Sequence, residues 1–426
     1  MYKAPAGHFW VPLTPKFVLS QSRPTTDTGK IYGSARPPAQ TTMDAMHLQD
    51  LNTPAALVDT ARMQRNIARM HQRMDSLGVA FRPHVKTSKC VAITQAQIEA
   101  GARGITVSTL KEAEQFFAAG IKDILYAVGM APPKLKQAAA LIAQGCALKI
   151  IADSATSASA IVDYTRQHGV PFEVWIEIDT DGHRSGVQPK SDELITIGQL
   201  LNQGGPTTLG GVMTHAGSSY DLNTPEALQA MAEQERSLCV LAAERLRAAG
   251  LPCPNVSVGS TPTALSAQKL QGVTEVRAGV YVFFDLVMAN VGVCSPDDVA
   301  LSVLTTVIGH QSDKGWAIVD AGWMAMSRDR GTQKQQHDYG YGQLCDANGQ
   351  RIEGYTLTGA NQEHGIVSRS GAADPHIVQH FPVGTQLRIL PNHACATGAQ
   401  FPEYHAIYQK ESGQEVGPTW PRFYGW

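Results

Sequence analysis

Phe81-Arg82-Pro83-His84-Val85-Lys86 reads as a short strand of mixed character, and its reading decides the fold. Alternation puts Arg82, His84 and Lys86 on one face and Phe81, Pro83 and Val85 on the other. Seven further strand-like runs follow, at 104–109, 123–128, 147–153, 172–179, 209–216, 255–261 and 274–281. Helix-sized stretches lie between most of them, for example 109–119, 132–144 and 224–249. Eight strands alternating with helices predict an α/β fold, a (β/α)8 barrel of the TIM type. A doubly wound open sheet is the competing architecture. If the apolar face meets the helices, the three basic groups point into the barrel. The run 172–179 behaves alike, with Glu173, Trp175, Glu177 and Asp179 on one side. Charges in a barrel interior need partners. Arg82 or His84 is therefore expected to pair with Glu173 or Glu177, beneath a more exposed Lys86.

Upstream, residues 55–58 form a short strand, and Asp59 caps a helix whose apolar side carries Met63, Ile67, Met70 and Met74. Residues 1–46 show little periodicity and many Pro, Thr, Ser and Gly, the composition of a loose extension. After residue 285 the rhythm changes. Strand-like runs at 301–309, 315–320, 366–370 and 386–390 are joined by turns, which predicts a mostly-β domain of roughly 140 residues. The barrel is thus assigned to 47–285 and the β domain to 286–426, with strand 55–58 free to join the latter.

The 426 residues are 43% hydrophobic and 17% charged, with net charge −2 and a pI near 6.7. No basic excess points to nucleic acid, and no charge block points to an interaction tail. The seven cysteines (Cys90, Cys146, Cys239, Cys253, Cys294, Cys345, Cys395) are scattered and lack a CxxC pair, which fits reduced thiols in the cytoplasm. Pro5, Pro12 and Pro15 break the first stretch, so no signal peptide is expected. The apolar run 279–294 is interrupted by Asp285 and is too short to span a membrane.

In a barrel, chemistry gathers where strands end. The ends here offer Lys86, Ser108, Thr109, the segment from Asp179 to Arg184, His215, Gly259-Ser260-Thr261 and Tyr281. A lysine amine can attack an aldehyde and form a Schiff base; the plainer alternative for Lys86 is a structural salt bridge. Val258-Gly259-Ser260-Thr261-Pro262-Thr263 follows a strand, and N–H groups beside hydroxyls suit a phosphate. A tight βα turn is the alternative. Gly279 and Tyr281 would add an N–H donor and a phenol. An amine and a phosphate cradle at one mouth suggest pyridoxal 5'-phosphate, PLP. Lys89 is expected to begin the next helix and face solvent.

A second feature is Pro391-Asn392-His393-Ala394-Cys395. Read as a strand, it points His393 and Cys395 the same way. Imidazole plus thiolate suits Zn2+, and two protein ligands leave positions open for water or substrate. A buried cysteine beside a hydrogen-bonded histidine is the alternative. His364 could be a third ligand, a base or a satisfied polar group. His337, His376 and His380 read as surface residues.

Four runs carry a resemblance: Arg82-Pro83-His84-Val85-Lys86-Thr87, Asp181-Gly182-His183-Arg184-Ser185-Gly186, Thr214-His215-Ala216-Gly217-Ser218-Ser219-Tyr220 and Pro391-Asn392-His393-Ala394-Cys395. They resemble the D-serine dehydratase and D-threonine aldolase group of fold-type III PLP enzymes, from Leu51 to the C-terminus. The resemblance implies an alanine racemase-like barrel with a β domain, and a homodimer. It implies that Lys86 holds PLP and acts as the catalytic base, that His215 lies against the ring, that Arg184 sits near the phenolic oxygen and that Tyr220 is close to the cofactor. Gly259, Ser260, Thr261 and Gly279 would bind the phosphate, and His393 and Cys395 would ligate zinc or another divalent metal.

The HxC pair looks like the dehydratases, since the aldolases more usually carry an acidic residue in place of the cysteine. The activity so implied is elimination of the β-hydroxyl of a D-3-hydroxy amino acid. D-threo-3-hydroxyaspartate would give oxaloacetate and ammonia, and D-serine would give pyruvate. A metal-dependent D-threonine aldolase and a non-catalytic PLP-binding protein are the rival readings. The latter has no use for the second domain or the metal pair. A dicarboxylic substrate needs a cation for its second carboxylate. Arg328 and Arg330 are candidates, with a solvated charged loop as the alternative.

Overall fold

In a computed structural model that describes residues 46–203, 205–410 and 413–426, eight parallel strands form a barrel. A first strand, β1 (Ala55–Asp59), precedes them. The barrel strands are β2 (Ala80–Pro83), β3 (Ile105–Val107), β4 (Asp123–Gly129), β5 (Ala147–Ala152), β6 (Glu173–Ile178), β7 (Thr208–Thr214), β8 (Asn255–Val258) and β9 (Glu275–Ala278). Each starts within one residue of a predicted run, and β2, β8 and β9 end three residues before theirs. β2 pairs with β9, and neighbours otherwise follow chain order. Closure comes from a parallel bridge between His84 and Thr106 and from the Val85 N–H donating to Thr106 O at 2.9 Å. The ring of pairings excludes the open-sheet alternative.

Between strands run α1 (Thr60–Ser76), α2 (Val91–Glu99), α3 (Leu110–Ala118), α4 (Leu135–Ala143), α5 (Ala155–His168), α6 (Asp192–Leu201), α7 (Pro225–Ala248) and α8 (Thr261–Ser266). Asp59 caps α1 by accepting from the Arg62 N–H at 2.9 Å, and Met63, Ile67, Met70 and Met74 are buried as its periodicity predicts.

Strand alternation divides the packing. Ile124, Tyr126, Ile150, Val174 and Ile176 join the main core with the helices. Leu125, Ile151, Trp175 and Met213 make a separate apolar cluster of the opposite parity. On the other side of the interior Arg82 lies among charges, but its partners differ from the expected ones. Arg82 donates to Glu275 at 3.0 Å and to Asp123 at 2.8 Å. Closure explains the difference, because β9 lies beside β2 while β6 does not. Glu173 instead accepts from the Trp175 indole at 2.8 Å, and Glu177 faces Arg184. Lys89 also departs from expectation. It has a left-handed backbone (φ 46°) and reaches inward to Glu112 at 2.8 Å, ahead of a helix that starts at Val91.

The remaining strands are β10 (Leu301–Gln311), β11 (Trp316–Val319), β12 (Gly342–Asp346), β13 (Arg351–Ala360), β14 (Gly365–Arg369), β15 (Gln386–Pro391), β16 (Glu403–Lys410) and β17 (Gly413–Pro421). With β1 they form a nine-stranded sheet in the order β11-β14-β13-β12-β15-β10-β1-β16-β17. β1 runs antiparallel to β10 and parallel to β16, so the first strand of the chain does join the β region. The loose extension expected over residues 1–46 lies outside the described residues, except Met46, which bridges to Val416. All seven thiols are free. Among the described residues no helix is long and apolar enough to cross a membrane.

Candidate active site

The C-terminal ends of the barrel strands open into a cavity of about 1120 Å³. It brings together Lys86, Arg184, His215, Tyr220, Gly259, Ser260, Gly279, His393 and Cys395. Thr261 follows Ser260, fully buried, with no hydrogen-bond partner for its hydroxyl among the described residues. Tyr281 is not at the site. The chain leaves β9 at Ala278 and coils through Val280–Val282, which breaks the strand parity. The Tyr281 ring is therefore buried edge-on to Phe81, and its hydroxyl accepts from Gln97 at 2.7 Å.

β2 stops at Pro83, so Lys86 sits in the turn beyond it, with its side chain exposed to the cavity. Two neutral imidazoles flank it. Burial, and then the Lys86 charge, hold His84 well below the usual histidine range and His215 at about 3. His215 Nδ1 lies 3.1 Å from Gly259 O. A carbonyl can only accept, so Nδ1 carries the hydrogen and Nε2 keeps the lone pair.

The Gly259 turn requires glycine. Its φ is +129°, and a Cβ would stand 2.2 Å from Arg277 O. Its N–H is not free, because Glu235 of α7 accepts it at 3.1 Å, and the Ser260 N–H goes to Thr263 Oγ1 at 2.9 Å. The expected N–H cradle at Gly259–Ser260 is therefore replaced by other donors. The N–H groups of Gly279 and Val280 have no backbone acceptor among the described residues, and both residues line the cavity. A Cβ on Gly279 would meet His84 O at 3.0 Å. Free amide donors, the Ser260 hydroxyl and the orphaned Thr261 hydroxyl fit a phosphate group.

Arg184 is exposed, 3.8 Å from Glu177. Burial raises the Glu177 carboxyl, and Arg184 is among the groups that oppose this. Arg277 is a cavity residue that the sequence reading did not single out. It is buried, donates to Ser257 Oγ at 2.7 Å and also bonds the Thr214 carbonyl. It shares the inward parity of Glu275 on β9, and that signal could have found it.

His393 and Cys395 both face the cavity, but not as neighbours on a strand. β15 ends at Pro391, and His393 caps the short helix Ala394–Gly398. Asp285, also passed over, positions this turn. Its carboxylate accepts from the Met288 N–H and the Ala394 N–H, each at 2.9 Å. Asp329 Oδ2 lies 2.5 Å from His393 Nδ1, which leaves Nε2 as the nitrogen that could bind an ion. Cys395 Sγ lies 3.3 Å from Thr87 Oγ1. Burial disfavours charge on both groups, yet Asp329 and the thiolate outweigh it and raise His393 above the ordinary histidine value, so a divalent ion would bind at Nε2 in exchange for a proton. Burial likewise raises the Cys395 thiol, but His393, Thr87 and Lys86 bring it below its ordinary value. A thiolate and an imidazole whose second nitrogen is anchored suit a borderline-soft divalent ion. No group of three metal-binding side chains occurs among the described residues. His364 is exposed and outside the cavity, and His337, His376 and His380 are exposed.

The chain resembles known proteins over most of its length. Residues 58–287 match the family model described as alanine racemase, N-terminal domain, and residues 300–407 match the putative serine dehydratase domain. The chain is 68% identical to D-threo-3-hydroxyaspartate dehydratase of Delftia sp. (strain HT23), over 89% of this chain and 99% of that one. It is 32% identical to D-serine dehydratase of Dictyostelium discoideum, over 84% and 94%. A solved cysteine-to-alanine variant of D-threo-3-hydroxyaspartate dehydratase, in its metal-free form, superposes with a TM-score of 0.87 at 67% identity, covering 89% of this chain and 99% of that one. The chain belongs to the alanine racemase-like fold-type III PLP enzymes, in the group that holds the 3-hydroxyaspartate and D-serine dehydratases.

Proposed function

We propose that this chain is a PLP- and metal-dependent dehydratase acting on D-3-hydroxy amino acids. It converts D-threo-3-hydroxyaspartate to oxaloacetate and ammonia, and D-serine to pyruvate and ammonia. The observation that carries this reading is that one cavity holds Lys86 and the His393–Cys395 pair. The likeness to the Delftia enzyme supports the substrate, and the metal-free form of its cysteine variant supports a metal on the thiolate.

PLP, when bound, supplies the electron sink for a carbanion at Cα. A metal held by His393 and Cys395 supplies a Lewis acid for the departing hydroxyl. Lys86 would hold the cofactor, and its free amine would take the Cα proton. Gly279 and Val280 would donate their N–H groups to the phosphate, with Ser260 and Thr261 beside them. His215 would pack against the ring without adding charge, since its imidazole is neutral. Arg184 would sit near the phenolic oxygen, and Tyr220 borders the same cavity. Asp329 keeps the His393 ring turned toward the metal. Loss of water leaves an enamine, which tautomerises to an imine. Water then converts the imine to the oxo acid and ammonia.

The barrel and β domains meet near residue 285, and the protein works as a cytoplasmic homodimer, a compartment supported by its seven free thiols. The test is a product analysis on D-threo-3-hydroxyaspartate. Ammonia and oxaloacetate are expected. Glycine and glyoxylate would instead make the protein an aldolase, and no turnover of any D-3-hydroxy amino acid would leave only a PLP carrier.

A further inference from the structure

We infer that Arg328 binds the distal carboxylate of the substrate, beside the metal pair. This rests on the dehydratase reading above and assigns the residue that selects a dicarboxylic substrate. In 3-hydroxyaspartate the departing hydroxyl and the second carboxylate are bonded to the same carbon. A cation that reads the carboxylate must therefore stand next to the ligands that hold the hydroxyl.

The turn at residues 327–330 meets that condition. Asp329 is bonded to His393 at 2.5 Å, and its chain neighbour Arg328 lines the same cavity and is exposed there. The other cavity arginines are engaged. Arg277 is held by Ser257 and Thr214, Arg184 faces Glu177, and Arg330 pairs with Asp338 at 2.8 Å. Arg328 has no carboxylate partner among the described residues. Its guanidinium lies 4.7 Å from the centre of the Trp323 ring, which orients the side chain without neutralising it.

The backbone supports the same reading. Ser327 has φ 67° and ψ 167°, a region nearly reserved for glycine, yet it is buried. Its hydroxyl accepts from the Asp329 N–H at 3.1 Å. Such a conformation persists where surrounding contacts impose it. Here it brings Arg328 and Asp329 to the cavity together.

The test compares kcat/KM for D-threo-3-hydroxyaspartate and D-serine in the wild-type holoenzyme, R328A, R328K and K334A. D-serine keeps the amine, hydroxyl and first carboxylate but lacks the second. R328A is expected to lower the ratio of the two constants by about 10- to 100-fold, the worth of one charge-assisted contact. R328K is expected to recover part of it. An unchanged ratio in R328A overturns the assignment. So does a fall in K334A without one in R328A, since Lys334 also lines the cavity. Calorimetric binding of malate, which has the hydroxyl and both carboxylates but no amine, reads the contact without turnover. Weaker binding to R328A is expected, and equal binding refutes the assignment. If the wild type eliminates neither amino acid, the dehydratase reading fails, and malate binding still decides the role of Arg328.

Discussion

Glu235 holds Gly259 in place: one oxygen of its buried carboxylate accepts the Gly259 N–H at 3.1 Å and the Ala216 N–H at 2.9 Å. Gly259 O in turn lies 3.1 Å from His215 Nδ1. A single side chain on α7 thus ties the turn after β7, which carries His215, to the turn after β8, which carries Gly259 and Ser260.

Glu235→Ala leaves two buried N–H groups without an acceptor. Each costs about 1–3 kcal/mol, so a loss of about 2–6 kcal/mol in urea unfolding is expected, together with weaker PLP binding. Glu235→Gln keeps an acceptor oxygen and is expected to lose less. Equal stability of the alanine variant and wild type would remove the clamp from the account.

His84 and His215 are held neutral by burial and by Lys86. The unfolded chain takes up protons on these rings below its ordinary value of about 6.5, while the folded protein does not. Their contribution is therefore neutral at high pH, and it lowers stability as pH falls. For His215 this runs from about 6.5 toward about 3. Glu177 and Glu235 have raised values and act in the opposite sense. Comparison with a variant isolates the histidine part. Between about pH 7.5 and about pH 5.5, PLP-free wild type is expected to lose about 1.4 kcal/mol more than His215→Asn. Parallel pH profiles would mean that His215 is not held neutral.

Asp329→Ala removes the anchor of the His393 ring. Loss of such a partner typically lowers metal affinity by about 10- to 100-fold. Competition between the protein and a chelator measures this directly, apart from turnover. Unchanged affinity would show that Asp329 does not orient the ligand.

Arg82 is buried between Glu275 and Asp123. Arg82→Ala strands the Glu275 carboxylate in the barrel interior and is expected to destabilise by about 3–5 kcal/mol in denaturant unfolding. An Arg82→Met/Glu275→Leu double variant removes both charges and is expected to recover part of the loss. A double variant less stable than the single one would contradict this.

The barrel was legible because its strands alternate. The rule that sends Val174 and Ile176 to the helices sends Glu173 and Trp175 to the interior. The partners of Arg82 were not legible, because they depend on which strand closes the ring. Lys86, His215 and the Gly259 turn could be read from the C-terminal ends of strands. Tyr281 could not, because a coil after β9 redirects it. His393 and Cys395 were found for a reason the fold replaces, since a helix start brings them to the cavity in place of a strand face. Glu235, Asp285 and Asp329 act through contacts that span distant parts of the chain, and no local pattern marks them.

The central claim is that Lys86 is the amine that carries PLP. Borohydride reduction of the PLP-loaded enzyme fixes the cofactor to its lysine, and peptide mass mapping then locates it. The account predicts the modification on Lys86, and its absence after Lys86→Ala. Modification of Lys89 or Lys334, with Lys86 unmodified, would contradict it.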